Sequence, residues 1–137
     1  PKPLECPEKT GDVNQLPTNL ISQFDKRLAH EDSAAGTEYL WMRRRYDGPL
    51  NVGTLAILSD FILGGHVQSR AGTSLDNTFR LHSLKDSEWT LSVTQMSGFT
   101  RGVAHGVMHQ FAEDGTLLAS SSQTGVLRRA PWIDGSV

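Results

Sequence analysis

Hydrophobic and polar residues alternate along four segments in the second half of the chain. A period of two is that of a β-strand, whose successive side chains point to opposite faces of a sheet. The Asp114-Gly115 pair between the last two segments predicts a tight hairpin turn. The pattern therefore predicts four antiparallel strands, over residues 74–82, 88–96, 102–111 and 116–129.

The most apolar run of the chain, NVGTLAILSDFILGG at residues 51–65, does not alternate in this way. Its apolar side chains would cover nearly all sides of a helix, which is typical of a helix buried in a core. Asn51 is a favourable N-cap residue, and Gly64 and Gly65 are favourable at the end of a helix. We therefore predict one long buried helix in this run.

The region before the helix is less regular. Residues 37–46, TEYLWMRRRY, are rich in aromatic side chains and predict a strand, and alternation within residues 20–29 indicates another. Residues 1–19 hold four prolines and little periodicity, which is typical of a linker or an inter-domain strap. The predicted organisation is thus a strap over residues 1–19 and a single domain over residues 20–137.

The predicted elements define an α+β fold. One long helix wrapped by a curved antiparallel sheet of about five to six strands is the hot-dog arrangement, and this is the fold that we predict. The chain has 137 residues, which is enough for one domain with one core.

Charge indicates which classes of partner to expect, and cysteine content indicates the compartment. The net charge of −2 gives no reason to expect nucleic acid or an anionic membrane. No apolar run approaches the roughly 20 residues that span a bilayer. The single cysteine, Cys6, indicates an intracellular, reducing compartment, without distinguishing cytoplasm, peroxisome and mitochondrion. Because the chain begins with proline, we expect it to be a piece of a longer polypeptide.

Asp60 is a carboxylate in the middle of the apolar run. Burying an unpaired carboxylate is unfavourable by several kcal/mol, so it must be paired, hydrogen-bonded or neutralised. One interpretation is that Asp60 lies where the helix reaches the surface or caps a neighbouring loop. The other is a general base, or a carboxylate that orients a water molecule, in a dry pocket.

Two of the predicted strands carry polar side chains that are candidates for chemistry. Gln123, in SSSQTGVLRR, is a large polar side chain in the otherwise small and apolar row that begins at Leu117. An amide can hold a water molecule without titrating. In TSLDNTF, alternation places Ser74, Asp76 and Thr78 on one face, where a hydroxyl could complete a water-binding cluster. The alternative interpretations are an ordinary glutamine on the sheet surface and an ordinary polar start of a strand.

Other familiar motifs of catalysis are absent. The sequence contains no GxSxG, HExxH or P-loop motif. His105 and His109 are four residues apart, which would suit a metal on a helix, but they lie in a strand pattern. We therefore predict neither a metal nor a cofactor.

The succession LSDF, SLDNTF and SSSQTGVLRR resembles the C-terminal half of the acyl-CoA thioesterase II family, over about residues 20–129. Members of that family carry two hot-dog domains in one chain. The resemblance implies that Asp60, Ser74 and Gln123 hold and activate a water molecule. This water would attack the thioester carbonyl of acyl-CoA and release free fatty acid and coenzyme A, without an acyl-enzyme.

The resemblance also implies a partner. A hot-dog active site forms at the seam of two such domains, so an N-terminal hot-dog half or a second copy of this chain would complete the site in an oligomer. We assign Asp76, Gly125 and Arg128 to substrate binding. The family has His where Asn77 stands and an aromatic residue near Arg80, and we expect these differences to alter the acyl pocket rather than the water cluster.

Two alternatives to hydrolysis remain open. The domain could bind acyl-CoA, or pair with another domain, without catalysis. It could also be a hot-dog hydratase or dehydratase that acts on acyl thioesters, in which case His66 or His82 would lie beside Asp60.

Overall fold

Six strands form one antiparallel sheet in the computed structural model, which describes residues 1–9, 20–45, 48–65 and 72–127. The strand order is β1-β2-β4-β5-β6-β3, so the strand after the helix lies at the far edge of the sheet. The predicted α+β architecture, one helix wrapped by a curved antiparallel sheet, is confirmed. The elements are β1 (Phe24–Asp32), β2 (Thr37–Arg44), α1 (Val52–Ser59), β3 (Thr73–Leu81), β4 (Thr90–Thr100), β5 (Val103–Ala112) and β6 (Leu117–Val126).

The predicted hairpin between the last two strands is confirmed. Gly115 has a φ of 90°, a conformation that glycine adopts without strain, and its N–H donates to Ala112 O at 3.0 Å. The segment 97–102 contains both a bulge and a turn. The β4–β5 register shifts between Met96 and Gly98, and the chain then turns after Thr100.

The helix is shorter than its apolar pattern predicted. Asn51 caps it as expected, since its Oδ1 accepts from Thr54 N at 2.9 Å. It ends at Ser59, and a separate 3₁₀ turn follows over Ile62–Gly65. The Ser59 hydroxyl donates to Ala56 O at 2.6 Å, and such a side-chain bond to the preceding turn competes with the regular helix. Asp60 therefore lies at the C-cap of α1 and not within a long helix.

The core lies between the sheet and the two helical pieces. Central strands present small or polar residues to the helix, while larger apolar residues such as Leu91 and Val107 alternate with them on the outer face. Three clusters fill the space beneath α1 and the 3₁₀ turn. Their buried members are Phe24, Leu40, Met42, Leu55, Leu58, Ile62, Leu63, Met96, Ala104, Met108, Ala112, Leu118 and Ala119.

The first nine residues pack onto the sheet. Lys9 N donates to Lys26 O at 3.0 Å, and Leu28 N donates to Pro7 O at 2.8 Å, so residues 7–9 run along the free edge of β1. The rest of the predicted strap, residues 10–19, lies outside the described residues, and the boundary at residue 20 stays a prediction. The edge of β1 is thus covered by the chain itself.

Candidate active site

Two of the three predicted catalytic residues are in direct contact. Gln123 lies on the helix-facing side of β6 and is only 1% exposed. Its Nε2 donates to the Ser74 Oγ on the neighbouring strand β3 at 2.8 Å. Residues 49 positions apart in the chain are therefore joined where β3 meets β6.

The hydrogen bonds of Ser74 assign the orientation of the Gln123 amide. The Ser74 hydroxyl donates its hydrogen to the Asp76 carbonyl oxygen at 3.1 Å. Because that hydrogen is engaged, the Ser74 oxygen must accept, and Gln123 must turn its NH₂ group towards it. The Gln123 Oε1 then remains as a buried acceptor without a hydrogen-bond partner in the described part of the chain. A buried acceptor of this kind is suited to a water or substrate proton.

A β-bulge decides which face each residue of β3 occupies. The β3–β6 register shifts between Ser74 and Asp76, so that Ser74 lies opposite Gly125 and Asp76 lies opposite Thr124. Neighbouring residues of β6 point to opposite faces, and Ser74 therefore faces the helix while Asp76 faces outward. The prediction that Ser74, Asp76 and Thr78 share a face is wrong, because strict alternation does not allow for the extra residue.

Asp60 lies at the same edge of the sheet but is exposed. This placement matches the interpretation in which the helix reaches the surface, and not a dry pocket within this chain. The Asp60 Oδ1 accepts from Asn77 Nδ2 at 3.0 Å. Asn77 lies directly opposite Gln123 in the β3–β6 ladder, and residues paired in this way have Cβ atoms about 4.5–5.5 Å apart. Asp60 and Gln123 thus both lie next to Asn77.

Sequence reasoning missed the part that Asn77 plays. The sequence predicts a role for it in the acyl pocket, whereas it contacts Asp60 and, at 3.2 Å, the hydroxyl of Ser59. The signal that could have found it is the spacing of three between Ser74 and Asn77, which places both on one face only if a bulge lies between them.

The residues assigned to substrate binding have contacts of other kinds. The Asp76 Oδ1 accepts from Thr124 N at 2.9 Å, which ties the bulge to β6. Gly125 lies against the side chain of Leu63, with no room for a Cβ atom. Arg128 lies outside the described residues. The assignment of all three to substrate binding stays a prediction.

A cavity of about 560 Å³ opens elsewhere, between α1 and the β1–β2 pair, and none of Asp60, Ser74 and Gln123 lines it. Buried apolar side chains, including Met42 and Leu58, form its inner wall. Asp25 at its rim is partly buried, and burial alone would raise its pKa. Hydrogen bonds from Arg43 and Arg45 outweigh burial and hold the pKa of Asp25 below its usual range. The lining of this cavity carries both acidic and basic side chains and identifies no particular ligand.

Two histidines of the described residues are hydrogen-bonded away from Asp60. His82 bonds to the Ser120 hydroxyl at 2.8 Å and His105 to the Thr124 hydroxyl at 2.9 Å. His66, the other candidate for a hydratase, lies outside the described residues. Within the described ranges, no three His, Cys, Asp or Glu side chains are placed to hold a metal ion. No described helix is long and apolar enough to cross a membrane.

Known proteins of one family resemble this chain in sequence and in fold. Residues 3–127 match the family model described as acyl-CoA thioesterase C-terminal domain. No curated protein matches the sequence. A solved structure from Novosphingobium aromaticivorans, provisionally described as a thioesterase, superimposes with a TM-score of 0.83 and 27% identity, over 94% of this chain and 53% of that one.

Two more distant structures share the fold. Acyl-CoA thioesterase II from Mycobacterium marinum has 21% identity and a TM-score of 0.64, over 91% of this chain and 56% of that one. A hypothetical thioesterase from Streptococcus pneumoniae, solved with coenzyme A, has 16% identity and a TM-score of 0.66, over 79% of this chain and 90% of that one. The predicted hot-dog fold is confirmed. The chain spans about half the length of the N. aromaticivorans and M. marinum proteins.

Proposed function

The chain belongs to the family of acyl-CoA thioesterase C-terminal domains, and we propose that it hydrolyses acyl-CoA thioesters to free fatty acid and coenzyme A. The observation that carries this proposal is the oriented amide of Gln123. Its buried Oε1 is left as an acceptor beside the residue that holds the Asp60 carboxylate. In this arrangement the Asp60 carboxylate accepts a proton from water, and the Gln123 Oε1 holds that water in place.

The reaction uses water as the nucleophile. The Gln123 Oε1 accepts one O–H of the water, Ser74 holds that amide in orientation, and Asp60 takes the second proton as the water oxygen attacks the thioester carbonyl. The C–O bond forms and the C–S bond then breaks, and the proton on Asp60 passes to the departing thiolate. Fixing the water relative to the carbonyl removes several kcal/mol of the barrier.

A second hot-dog domain completes the site in this proposal. The edge of β1 is covered by residues 7–9, whereas β3 pairs only with β6 among the residues that the structure describes. Asp60, Ser74 and Asn77 are all exposed on this open side. A sheet edge from an N-terminal hot-dog half, or from a second copy of this chain, would cover them and bring the acyl-CoA to the seam. Coenzyme A in the S. pneumoniae structure supports this class of ligand.

The decisive experiment compares Asp60→Asn with the unaltered chain. Steady-state hydrolysis of medium- and long-chain acyl-CoA is measured with the chain alone and together with an N-terminal hot-dog domain. Loss of the proton acceptor lowers kcat by about 100-fold or more, while binding of acyl-CoA, followed by calorimetry, persists. Asp32→Asn makes the same chemical change at the end of β1 and serves as the matched control, with kcat unaltered.

Two outcomes would count against this function. Unaltered turnover by Asp60→Asn removes Asp60 from the mechanism. Binding of acyl-CoA without turnover, in a folded chain supplied with the second domain, favours the non-catalytic alternative.

A further inference from the structure

We propose that Asn77 is a positioning residue that orients the Asp60 carboxylate for catalysis, with Ser59 as its anchor. This inference rests on the proposed hydrolysis and adds to it a residue that the three-residue water cluster does not include. Four observations carry it: two hydrogen bonds from one nitrogen, the burial of Ser59, the pairing of Asn77 with Gln123 and the exposure of Asp60.

One nitrogen makes both contacts. The Asn77 Nδ2 lies 3.0 Å from the Asp60 Oδ1 and 3.2 Å from the Ser59 Oγ. The Ser59 hydrogen is engaged by the Ala56 carbonyl oxygen at 2.6 Å, so the Ser59 oxygen acts as an acceptor. An amide NH₂ group carries two hydrogens and can serve both acceptors at once. The Ser59 Oγ also lies 3.4 Å from the Asn77 Oδ1, so the orientation of the amide follows from the Asp60 contact, because a carboxylate oxygen accepts and needs the NH₂ group opposite it.

The anchor is rigid. Ser59 is the last residue of α1 and is 1% exposed, whereas Asp60 beside it is exposed. Asn77 is held from the other direction by the β3–β6 ladder, directly opposite Gln123. The amide therefore joins the end of the helix to the strand that carries Ser74, and it fixes the Asp60 side chain relative to the Gln123 side chain.

Such a link is needed because an exposed carboxylate at a helix end can rotate freely. Binding Oδ1 leaves Oδ2 as the oxygen that is available to a water proton. An amide does not titrate, so its donor to Asp60 is present at every pH at which the protein is folded. A histidine in this place has only one hydrogen on each nitrogen and could not bridge both acceptors from one atom.

Two substitutions test the role in hydrolysis. Asn77→Asp keeps the size of the side chain but removes both donors and adds a like charge, and Asn77→Ala removes the side chain. Both are expected to lower kcat about tenfold or more, with KM changed less than about threefold, because orientation and not binding is lost. Thr78→Ala, the next residue on β3, faces away from the helix opposite Ser122 and is the matched control with unaltered kcat. Unaltered kcat in both folded Asn77 variants would overturn the proposal.

A second measurement does not depend on turnover. The side-chain amide signal of Asn77 in a ¹⁵N correlation spectrum is assigned by its loss in Asn77→Ala. It is expected to shift in Asp60→Ala and to stay in place in Thr78→Ala. An unmoved signal in Asp60→Ala overturns the contact and the proposal with it. A shifted signal in a chain without any turnover would instead overturn the proposed hydrolysis, and with it the catalytic role of Asn77, while the contact with Asp60 would stand, so the two failures are distinguishable.

Discussion

At the scale of single residues, the orientation of one amide depends on one hydroxyl group. Ser74 accepts from Gln123 and donates to the Asp76 carbonyl, and this chain of two bonds leaves the Gln123 oxygen available. Without the hydroxyl, the amide could turn its nitrogen towards the water instead, and the acceptor would be lost. In the proposed mechanism, Ser74 therefore acts on the water through Gln123.

Replacing Ser74 tests that relay. Ser74→Ala is expected to lower kcat about tenfold, because the Gln123 amide is no longer held in one orientation. Ser74→Thr keeps the hydroxyl on a side chain that suits a strand and is expected to retain kcat within about threefold. Initial-rate measurements on both variants are the check. Equal kcat for alanine and threonine at this position would remove the hydroxyl from the mechanism.

Residue types alone singled out part of the proposed site. An acid in an apolar run and a lone glutamine on a small-residue face are unusual enough for the sequence to single out Asp60 and Gln123. Asn77 could not be found in this way, because an asparagine on an edge strand is ordinary. Its importance comes from the neighbours that the fold brings to it, Asp60 and Gln123.

At the scale of secondary structure, two irregularities bring the residues of the proposed site together. The bulge in β3 turns Ser74 towards the helix, and the early end of α1 at Ser59 places Asp60 beside Asn77. Periodicity predicted both elements but neither irregularity, since a pattern of period two or 3.6 carries no mark of an inserted residue or a broken helix. The Ser59 bond to Ala56 competes with the regular helix at this point, and a serine there is a signal that the sequence contains.

The side chains beneath the 3₁₀ turn pack directly against Gly106. A Cβ atom on Gly106 would lie 2.5 Å from Met96 Sδ and 2.8 Å from Ile62 Cγ2, so these side chains would have to shift. Gly106→Ala is expected to lower the free energy of unfolding by about 1–3 kcal/mol, measured by urea denaturation. Gly98→Ala is the matched control, because a Cβ atom there meets nothing within 4 Å. Equal stability of the two variants would contradict this packing.

At the scale of the whole molecule, the two edges of the sheet differ. Residues 7–9 line β1, while β3 has only β6 beside it in the described part of the chain. The site residues Ser74 and Asn77 lie on that open strand. The order of one helix and its strands could be predicted from periodicity because the elements follow one another in the chain. The second domain of the proposed site was predicted from the family resemblance and not from periodicity, since periodicity describes only how this chain packs on itself.

The most direct test of the proposed mechanism is a single turnover in H₂¹⁸O, with the assembled protein in excess over acyl-CoA. Direct attack by the water that Asp60 and Gln123 hold predicts that the fatty acid released in this first turnover carries one ¹⁸O atom, as measured by mass spectrometry. Unlabelled fatty acid from the same turnover would show that its oxygen came from a carboxylate of the protein. That result would contradict the water mechanism and make Asp60 a candidate nucleophile instead of a base.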